Sequence, residues 1–266
     1  MVRPIITLLS DFGLKDPYVA EMKAVILSIC REAVLVDISH NIDKYDIRMG
    51  AFVLAQAAPY FPDWTIHLAI VDPGVGTERR PIIIETRRSY YVGPDNGLLM
   101  LAAKHEGIRC IREIRNPKFM LAYVSRTFHG RDIFAPAAAH LANGVQVSDF
   151  GPEVNDPVTP SFVKSHVGRG VVSGEVIYID SFGNVVTNIS SRDLEEAGIK
   201  EGSTLTLKIN DRMTRLRFCS AYGDAALNAP LMLIGGTGLL EIAVNQGNAS
   251  KYFGAYVGDK VSVAVS

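Results

Sequence analysis

Two acidic turns and a distant histidine are the most chemically suggestive residues in this 266-residue sequence. Asp11 follows a short apolar run in Ser10-Asp11-Phe12-Gly13, and Asp72 follows another in Asp72-Pro73-Gly74-Val75-Gly76-Thr77. Ligands of open α/β sheets bind beyond the carboxyl ends of the strands, so both aspartates stand where a site is expected. A carboxylate at Asp11 can accept both hydroxyls of a ribose diol; the plainer alternative is a helix cap or turn aspartate. Asp72 can orient Arg79 or accept from a water, and His129 can take or share that water's proton near neutral pH. The alternative is that Asp72-Pro73-Gly74 is an ordinary turn and Arg79 a solvated side chain. Farther on, Asp180-Ser181-Phe182-Gly183-Asn184 offers a carboxylate, an aromatic face and an amide within a few residues. Phe182 can stack on a purine, Asn184 can read its edge and Asp180 can hold an ammonium group. The same string also suits a β-turn, as does Asn245-Gln246-Gly247-Asn248.

Other chemistries lack their motifs. Gly74-Val75-Gly76-Thr77-Glu78-Arg79 has no third glycine and is followed by a strand-like run, which argues against a dinucleotide fingerprint. No GxxxxGK[ST] string occurs, so a P-loop is excluded. The six histidines show neither HxxxH nor HExxH spacing. A metal could be held by Asp11, His40 and Asp72, but nothing demands it, and no metal is expected.

Placing these residues requires alternating elements. Ile5–Ser10, Ala33–Ile38 and Ile66–Val71 read as buried strands. Tyr18–Cys30 and Asp46–Phe61 carry apolar residues at helical spacing. Pro81–Glu85 and Ser89–Val92 read as a hairpin, Pro94–His105 as a helix, and Ala135–Ala142 as a helix ended by Asn143-Gly144. Strand–helix alternation predicts an α/β domain with a largely parallel or mixed sheet. The pattern changes near residue 150. Residues 151–160 contain three prolines, and beyond them short strand-like runs dominate: Val171–Asp180, Val185–Ile189, Ser203–Ile209, Arg215–Phe218, Leu231–Ile234, Leu239–Val244 and Val261–Val265. Only Ser191–Ala197 reads as helical there, with Ser190 or Ser191 as its cap and Glu195 in the first turn. The prediction is an all-β barrel at 168–266 following an α/β domain at 1–160.

Composition narrows the class. Hydrophobic residues make up 48% and charged residues 21%, as in ordinary globular chains. Lys plus Arg is 27 against 28 for Asp plus Glu, a net charge of -1, which argues against a general nucleic-acid binder. No apolar run is long enough to span a membrane. The opening MVRPIITLLSDFG is too short in its apolar part for a secretory signal and reads as the first strand. The three cysteines are far apart and form no CxxC, which suits a reduced, cytoplasmic setting.

Six ordered strings spread over both halves resemble one family. They are SDFGLKDPYVAEMKA, VDPGVGTERR, VGPDNGLL, TFHGRDIFAPAAAHLANG, IDSFGNVVTNI and GLLEIAVNQGNAS. They look like the S-adenosylmethionine (SAM) hydroxide adenosyltransferases, or adenosine-forming SAM hydrolases, which are related to the SAM-dependent fluorinase and chlorinase. The resemblance implies a SAM-binding α/β domain, a C-terminal β-barrel and a homotrimer with active sites at subunit interfaces. It places a water-activating triad on Asp72, Arg79 and His129, and the ribose carboxylate on Asp11. It assigns methionine-amine and adenine contacts to Asp16, Asp180, Phe182 and Asn184, with the backbone near Asn245 and Gln246 as the remaining adenine contact. Tyr45 matches an aromatic position near the ribose. SAM is then the substrate, and no cofactor is implied.

Departures separate the branches. The resemblance gives fluorinase a tyrosine at the position of Asp72 and a Tyr-Ser pair at His129-Gly130. A carboxylate at the halide position would repel the halide by several kcal/mol even in a moderately screened site, on the order of Coulomb estimates. Thr237 stands where the halogenases carry an arginine for the methionine carboxylate. The implied reaction is attack of water or hydroxide on ribose C5′, releasing adenosine and methionine. Arg79 is expected to hold the nucleophile, His129 to take its proton and Asp72 to fix both. A halogenase, a non-catalytic SAM or adenosine sensor, and an RNA-associated barrel are the competing readings.

Overall fold

A computed structural model describes residues 3–160 and 164–265. The chain separates into two compact units, Met1–Pro160 and Ser161–Ser266. The stretch between the two expected domains, 1–160 and 168–266, includes residues 161–163, which lie outside the described residues.

The first unit is built on a six-stranded sheet. Its strands are β1 (Ile5–Ser10), β2 (Val34–Ser39), β3 (Ile66–Ile70), β4 (Pro81–Thr86), β5 (Tyr90–Pro94) and β6 (Ile108–Glu113), in the order β2-β1-β3-β5-β4-β6. The first four in that order are parallel neighbours, while β4 runs antiparallel to both β5 and β6. The sheet is therefore mixed, as predicted. β3, Ile-His-Leu-Ala-Ile, is buried along its whole length, as a strand covered on both faces must be. Helices α1 (Tyr18–Ile29) and α4 (Ala135–Ala142) pack against Ile6, Leu8, Leu68 and Ile70. Alternation along the strands turns Thr7 and His67 to the other face, where Thr7 Oγ1 lies 2.8 Å from His67 Nδ1. Helix α2 (Ile47–Ala57) starts at Asp46, whose side chain accepts from Met49 N at 2.9 Å. It approaches Leu98 and Val71 through Gly50, where a Cβ would crowd both.

The third expected helix is shorter than its pattern. Pro94 is the last residue of β5, and α3 spans only Met100–Glu106. Polar pairings hold the intervening turn out of the helix. Asp95 takes Arg80 at 2.7 Å, and Asn96 donates to the Val71 carbonyl at 2.8 Å while accepting from Leu98 N. β6 carries Arg109, Arg112 and Glu113 among its six residues, which hides it from a search for apolar runs.

The second unit is an antiparallel sheet of eight strands. They are β7 (His166–Gly168), β8 (Val171–Ile179), β9 (Val185–Ser190), β10 (Thr204–Ile209), β11 (Arg212–Arg217), β12 (Pro230–Ile234), β13 (Leu239–Val244) and β14 (Lys260–Val265). The order is β11-β10-β14-β8-β9-β13-β12, with β7 on β8. The first half of β8 pairs with β14 and its second half with β9, across a register shift at Val176–Tyr178 that bends the strand. The two ends of the sheet meet where Cys219 N donates to the Met232 carbonyl at 2.7 Å, leaving a nearly closed barrel. Leu205, Leu207, Val261, Val263, Leu240 and Ile242 fill it. Helix α5 (Ser191–Glu196) is capped by Ser190 with Asp193, not Glu195, closing the reciprocal pair. A short α6 (Ala249–Phe253), capped by Asn248, has no counterpart in the sequence reading. Among the described residues no helix is long and apolar enough to cross a membrane.

Candidate active site

The carboxyl ends of β1 and β3 carry Asp11 and Asp72, and both line one cleft of about 360 Å³ in the first unit. Asp11 is buried, at 6% exposure. Its Oδ2 accepts from Tyr45 N at 2.9 Å, and its carbonyl accepts from Lys44 Nζ. Tyr45 reaches this position because its backbone adopts φ +68°, and its ring stands exposed on the cleft wall. Asp11 is thus fixed from the β2–α2 loop. It does not cap α1, which starts after Pro17 without a side-chain cap.

Asp72, Arg79 and His129 are brought together. Arg79 Nε donates to both Asp72 oxygens at 3.0 Å, and Nη2 reaches Oδ2 at 2.5 Å and His129 Nδ1 at 2.8 Å. The side chains of Arg79 and Asp72 are only 9% and 6% exposed. The Arg79 guanidinium carbon lies 5.1 Å from the Phe134 ring centroid, a cation–π contact. Two local features permit this closeness. Gly76, at φ +77°, lets the 72–79 turn lie directly on the Arg126 carbonyl, where any Cβ would collide with the backbone. Beyond His129 the chain enters α4 through a wide π-helical turn, Gly130–Phe134. Such turns are frequent at functional sites. Within this turn Arg131 pairs with the buried Asp132 at 2.7 Å, and it ties the turn to Glu21 of α1 at 2.8 Å.

Proton positions follow from the donor inventory. Arginine has no acceptor, so Arg79 donates and His129 Nδ1 accepts. Burial first, and the Arg79 charge second, push His129 below the ordinary imidazole range. The ring is therefore neutral near pH 7, with its proton on Nε2. Its acceptor lone pair is spent on Arg79, whereas the sequence reading left it open for a water's proton. Of the three residues Asp72 lines the cleft, with Arg79 and His129 behind it.

Much of the rest of the wall is aromatic, with Lys44, Val75 and Thr127 completing it. Phe12, Tyr18 and Phe128 meet edge-to-face, with centroids 5.2 to 5.8 Å apart, and all three line the cleft. The sequence reading assigned no role to these rings, to Lys44 or to Thr127. The rings sit inside the strings quoted for the resemblance, but only the fold shows that they converge. Asp16 is exposed before α1 and is not part of the wall. Asp11, His40 and Asp72 do not form a metal-holding group among the described residues.

The barrel unit collects the remaining predicted residues on two neighbouring loops. Asp180 Oδ1 accepts from Phe182 N at 2.9 Å and Asn184 N at 2.8 Å, and Asn184 Nδ2 donates to Asp180 Oδ2 at 2.8 Å. The turn alternative is therefore realised: Asp180 holds its own loop together. That bracing leaves Phe182 projecting, 77% exposed, and Asn184 buried with its carbonyl oxygen not used in these bonds. Gly183, at φ +88°, packs on Asn248, and its carbonyl accepts from Ser250 N at 2.9 Å, so the 180–184 and 245–250 loops are joined. Asn245 is braced through Nδ2 to the Ala225 carbonyl at 2.8 Å, and Gln246 is exposed at φ +54°. Thr237 Oγ1 is buried with no hydrogen-bond partner among the described residues.

Comparison with known proteins agrees in both units. A family model described as the SAM hydroxide adenosyltransferase N-terminal domain matches residues 6–151, and one described as the C-terminal domain matches 174–262. An (R)-S-adenosyl-L-methionine hydrolase of Salinispora tropica is 39% identical over 98% of this chain and 97% of its own length. One from Thermus thermophilus is 40% identical over 95% and 96%. An uncharacterized conserved protein from Thermotoga maritima, 36% identical, superposes with a TM-score of 0.94 over 97% of this chain and 99% of that one. With both domain models matched in order and relatives this similar along nearly the whole sequence, the chain belongs to the SAM hydroxide adenosyltransferase family.

Proposed function

We propose that this protein hydrolyses S-adenosyl-L-methionine to adenosine and L-methionine. The observation that carries this reading is the partly buried Asp72–Arg79–His129 linkage, with Asp72 on the wall of the cleft that Asp11 also lines. Asp11 keeps lone pairs for the ribose hydroxyls beyond the one given to Tyr45 N. A water donates one O–H to Asp72 and directs a lone pair at ribose C5′. The C5′–O bond forms as the C5′–S bond breaks, and the electron pair of that bond leaves on sulfur as a neutral thioether. The water's proton passes to Asp72 and on to solvent. A neutral leaving group needs no general acid, so alignment of the nucleophile supplies much of the acceleration. Arg79 and His129 keep the Asp72 carboxylate in one orientation. The aromatic wall of Phe12, Tyr18 and Phe128 favours a dry pocket around a sulfonium.

In this reading Phe182 stacks on adenine and Asn184 reads its edge, with the backbone near Asn245 and Gln246 adding a contact. Asp16 takes the methionine ammonium together with Asp180, whose Oδ2 keeps one lone pair beyond the bond from Asn184 Nδ2. A homotrimer supplies the barrel residues from a neighbouring copy, as the family resemblance implies. No cofactor takes part, and the odd, unpaired cysteines fit a reduced, cytoplasmic setting.

Incubation with SAM and chloride tests the reading. Adenosine and methionine should appear in equal amounts, and Asp72→Ala should lower turnover by roughly 10²-fold or more while SAM still binds. Formation of 5′-chloro-5′-deoxyadenosine would convert the reading to a halogenase. Tight SAM binding without adenosine would leave a sensor.

A further inference from the structure

Beside the Asp11 turn lies a buried polar chain that the reaction as described does not use. Ser10 is fully buried and His40 is 4% exposed. Ser10 Oγ lies 2.7 Å from His40 Nδ1. His40 Nε2 lies 3.1 Å from Asp37 Oδ1, and Asp37 Oδ2 accepts from Lys23 Nζ at 2.7 Å. The sequence Ser–His–Asp invites comparison with a hydrolytic triad, but a fully buried hydroxyl cannot meet a substrate. What the chain does touch is the turn itself. Ser10 Oγ accepts from Phe12 N at 3.3 Å, and the His40 carbonyl accepts from Gly13 N at 2.7 Å. His40 thus holds the turn at both ends, by its ring at Ser10 and by its backbone at Gly13, with Asp11 and Phe12 in between.

The tautomer follows from the partners. Nε2 lies 3.1 Å from the Asp37 carboxylate without making a hydrogen bond to it, and a nearby group that only accepts favours the ring proton on that nitrogen. Nδ1 then accepts, the Ser10 hydroxyl donates to it, and a Ser10 lone pair is left to receive Phe12 N. With the ring neutral in this way, each group has one consistent role. Burial pushes His40 below the ordinary imidazole range against the opposing pull of Asp37, which keeps that state at neutral pH. An apolar pair would fill the same space but could neither fix the Ser10 hydroxyl nor receive the Phe12 amide.

We infer that His40 is a positioning residue for Asp11, acting through the Ser10 hydroxyl to hold the ribose-binding turn in its ligand-ready form. The inference rests on the assignment of Asp11 to the ribose diol. Because the diol contact exists before and during reaction alike, loosening it weakens binding without slowing the chemical step, so KM rises while kcat holds.

The two ring nitrogens can be tested separately. In His40→Asn the amide oxygen stands near the Nδ1 position and can still accept from Ser10. In His40→Gln the amide reaches the Nε2 position and abandons Ser10. Ser10→Ala removes the link from the other side and spares His40. We expect His40→Gln and Ser10→Ala to raise KM for SAM and Kd for adenosine about tenfold, the effect of one hydrogen bond, with kcat changed less than about threefold. His40→Asn should stay within about threefold of wild type in each constant, since it keeps the Ser10 bond. Amide hydrogen exchange at Phe12 should accelerate about tenfold or more in His40→Gln and Ser10→Ala but not in His40→Asn. Equal behaviour of the Asn and Gln variants, a kcat loss matching the KM rise, or unchanged Phe12 exchange in Ser10→Ala would overturn the inference. If wild-type protein neither cleaves SAM nor binds adenosine, the proposed reaction falls, and the exchange comparison decides the role of His40 alone.

Discussion

Replacing Arg79 by methionine removes the cation from a pair that has almost no access to water. The guanidinium makes three contacts of 2.5 to 3.0 Å with Asp72 and one of 2.8 Å with His129, and the paired side chains are 9% and 6% exposed. At that burial solvent screening offers little relief. Removing one partner of a buried ion pair typically costs about 3–5 kcal/mol, because the remaining charge is stranded. Methionine keeps the apolar contact with Phe134, so we expect the lower end, about 3 kcal/mol. Asp72→Asn on the same background removes the stranded charge. The double variant should then recover at least about 1 kcal/mol relative to the sum of the singles, the coupling expected for residues in contact. Urea unfolding followed by fluorescence is a selective assay, because the one tryptophan, Trp64, belongs to the first unit. Adenosine release should fall roughly 10²-fold in either single variant, since both disturb the same carboxylate. A loss of stability below about 1 kcal/mol in Arg79→Met, or additivity within about 0.5 kcal/mol, would refute the claim that this pair is a buried, coupled unit.

Two further outcomes follow from the same geometry. His67 is fully buried, and burial lowers it to about 4 from an ordinary value of 6.5. The unfolded chain therefore takes up this proton first, so stability is complete above pH 6.5 and falls as the pH drops towards 4. The slope contributed by this group approaches about 1.4 kcal/mol per pH unit, and denaturant titrations should show it flattened in His67→Phe. Gly76→Ala places a Cβ against the Arg126 carbonyl at a positive φ. It should cost about 2 kcal/mol or more and lower kcat by parting the 72–79 turn from the 126–129 segment. Stability and kcat near wild type in that variant would show that the glycine contact does not set the triad.

Much of this architecture is legible in the sequence, and the limits are physical. The strands β1, β3, β8 and β13 are dense in apolar residues and bounded by Asp, Gly or Pro, so their positions follow from composition. β6 and the start of α3 do not. Charged residues on β6 obscure its period, and the turn after Pro94 is held by Arg80 and by the Val71 carbonyl, partners far away along the chain. The candidate site divides in the same way. Asp11 and Asp72 are visible because strand ends are local features. The direction in which His129 spends its lone pair, and the service of Asp180 to its own loop, depend on side-chain geometry that spacing does not encode. The Ser10–His40 link joins residues 30 apart across two strands, and a parallel sheet alone brings them together.

Isotope labelling shows whether water is the nucleophile at ribose C5′. Turnover of SAM in ¹⁸O-water should yield adenosine carrying ¹⁸O in its 5′-hydroxyl, with unlabelled L-methionine. Adenosine without the label, or cleavage that releases a thioether still attached to the nucleoside, would show that water does not attack C5′.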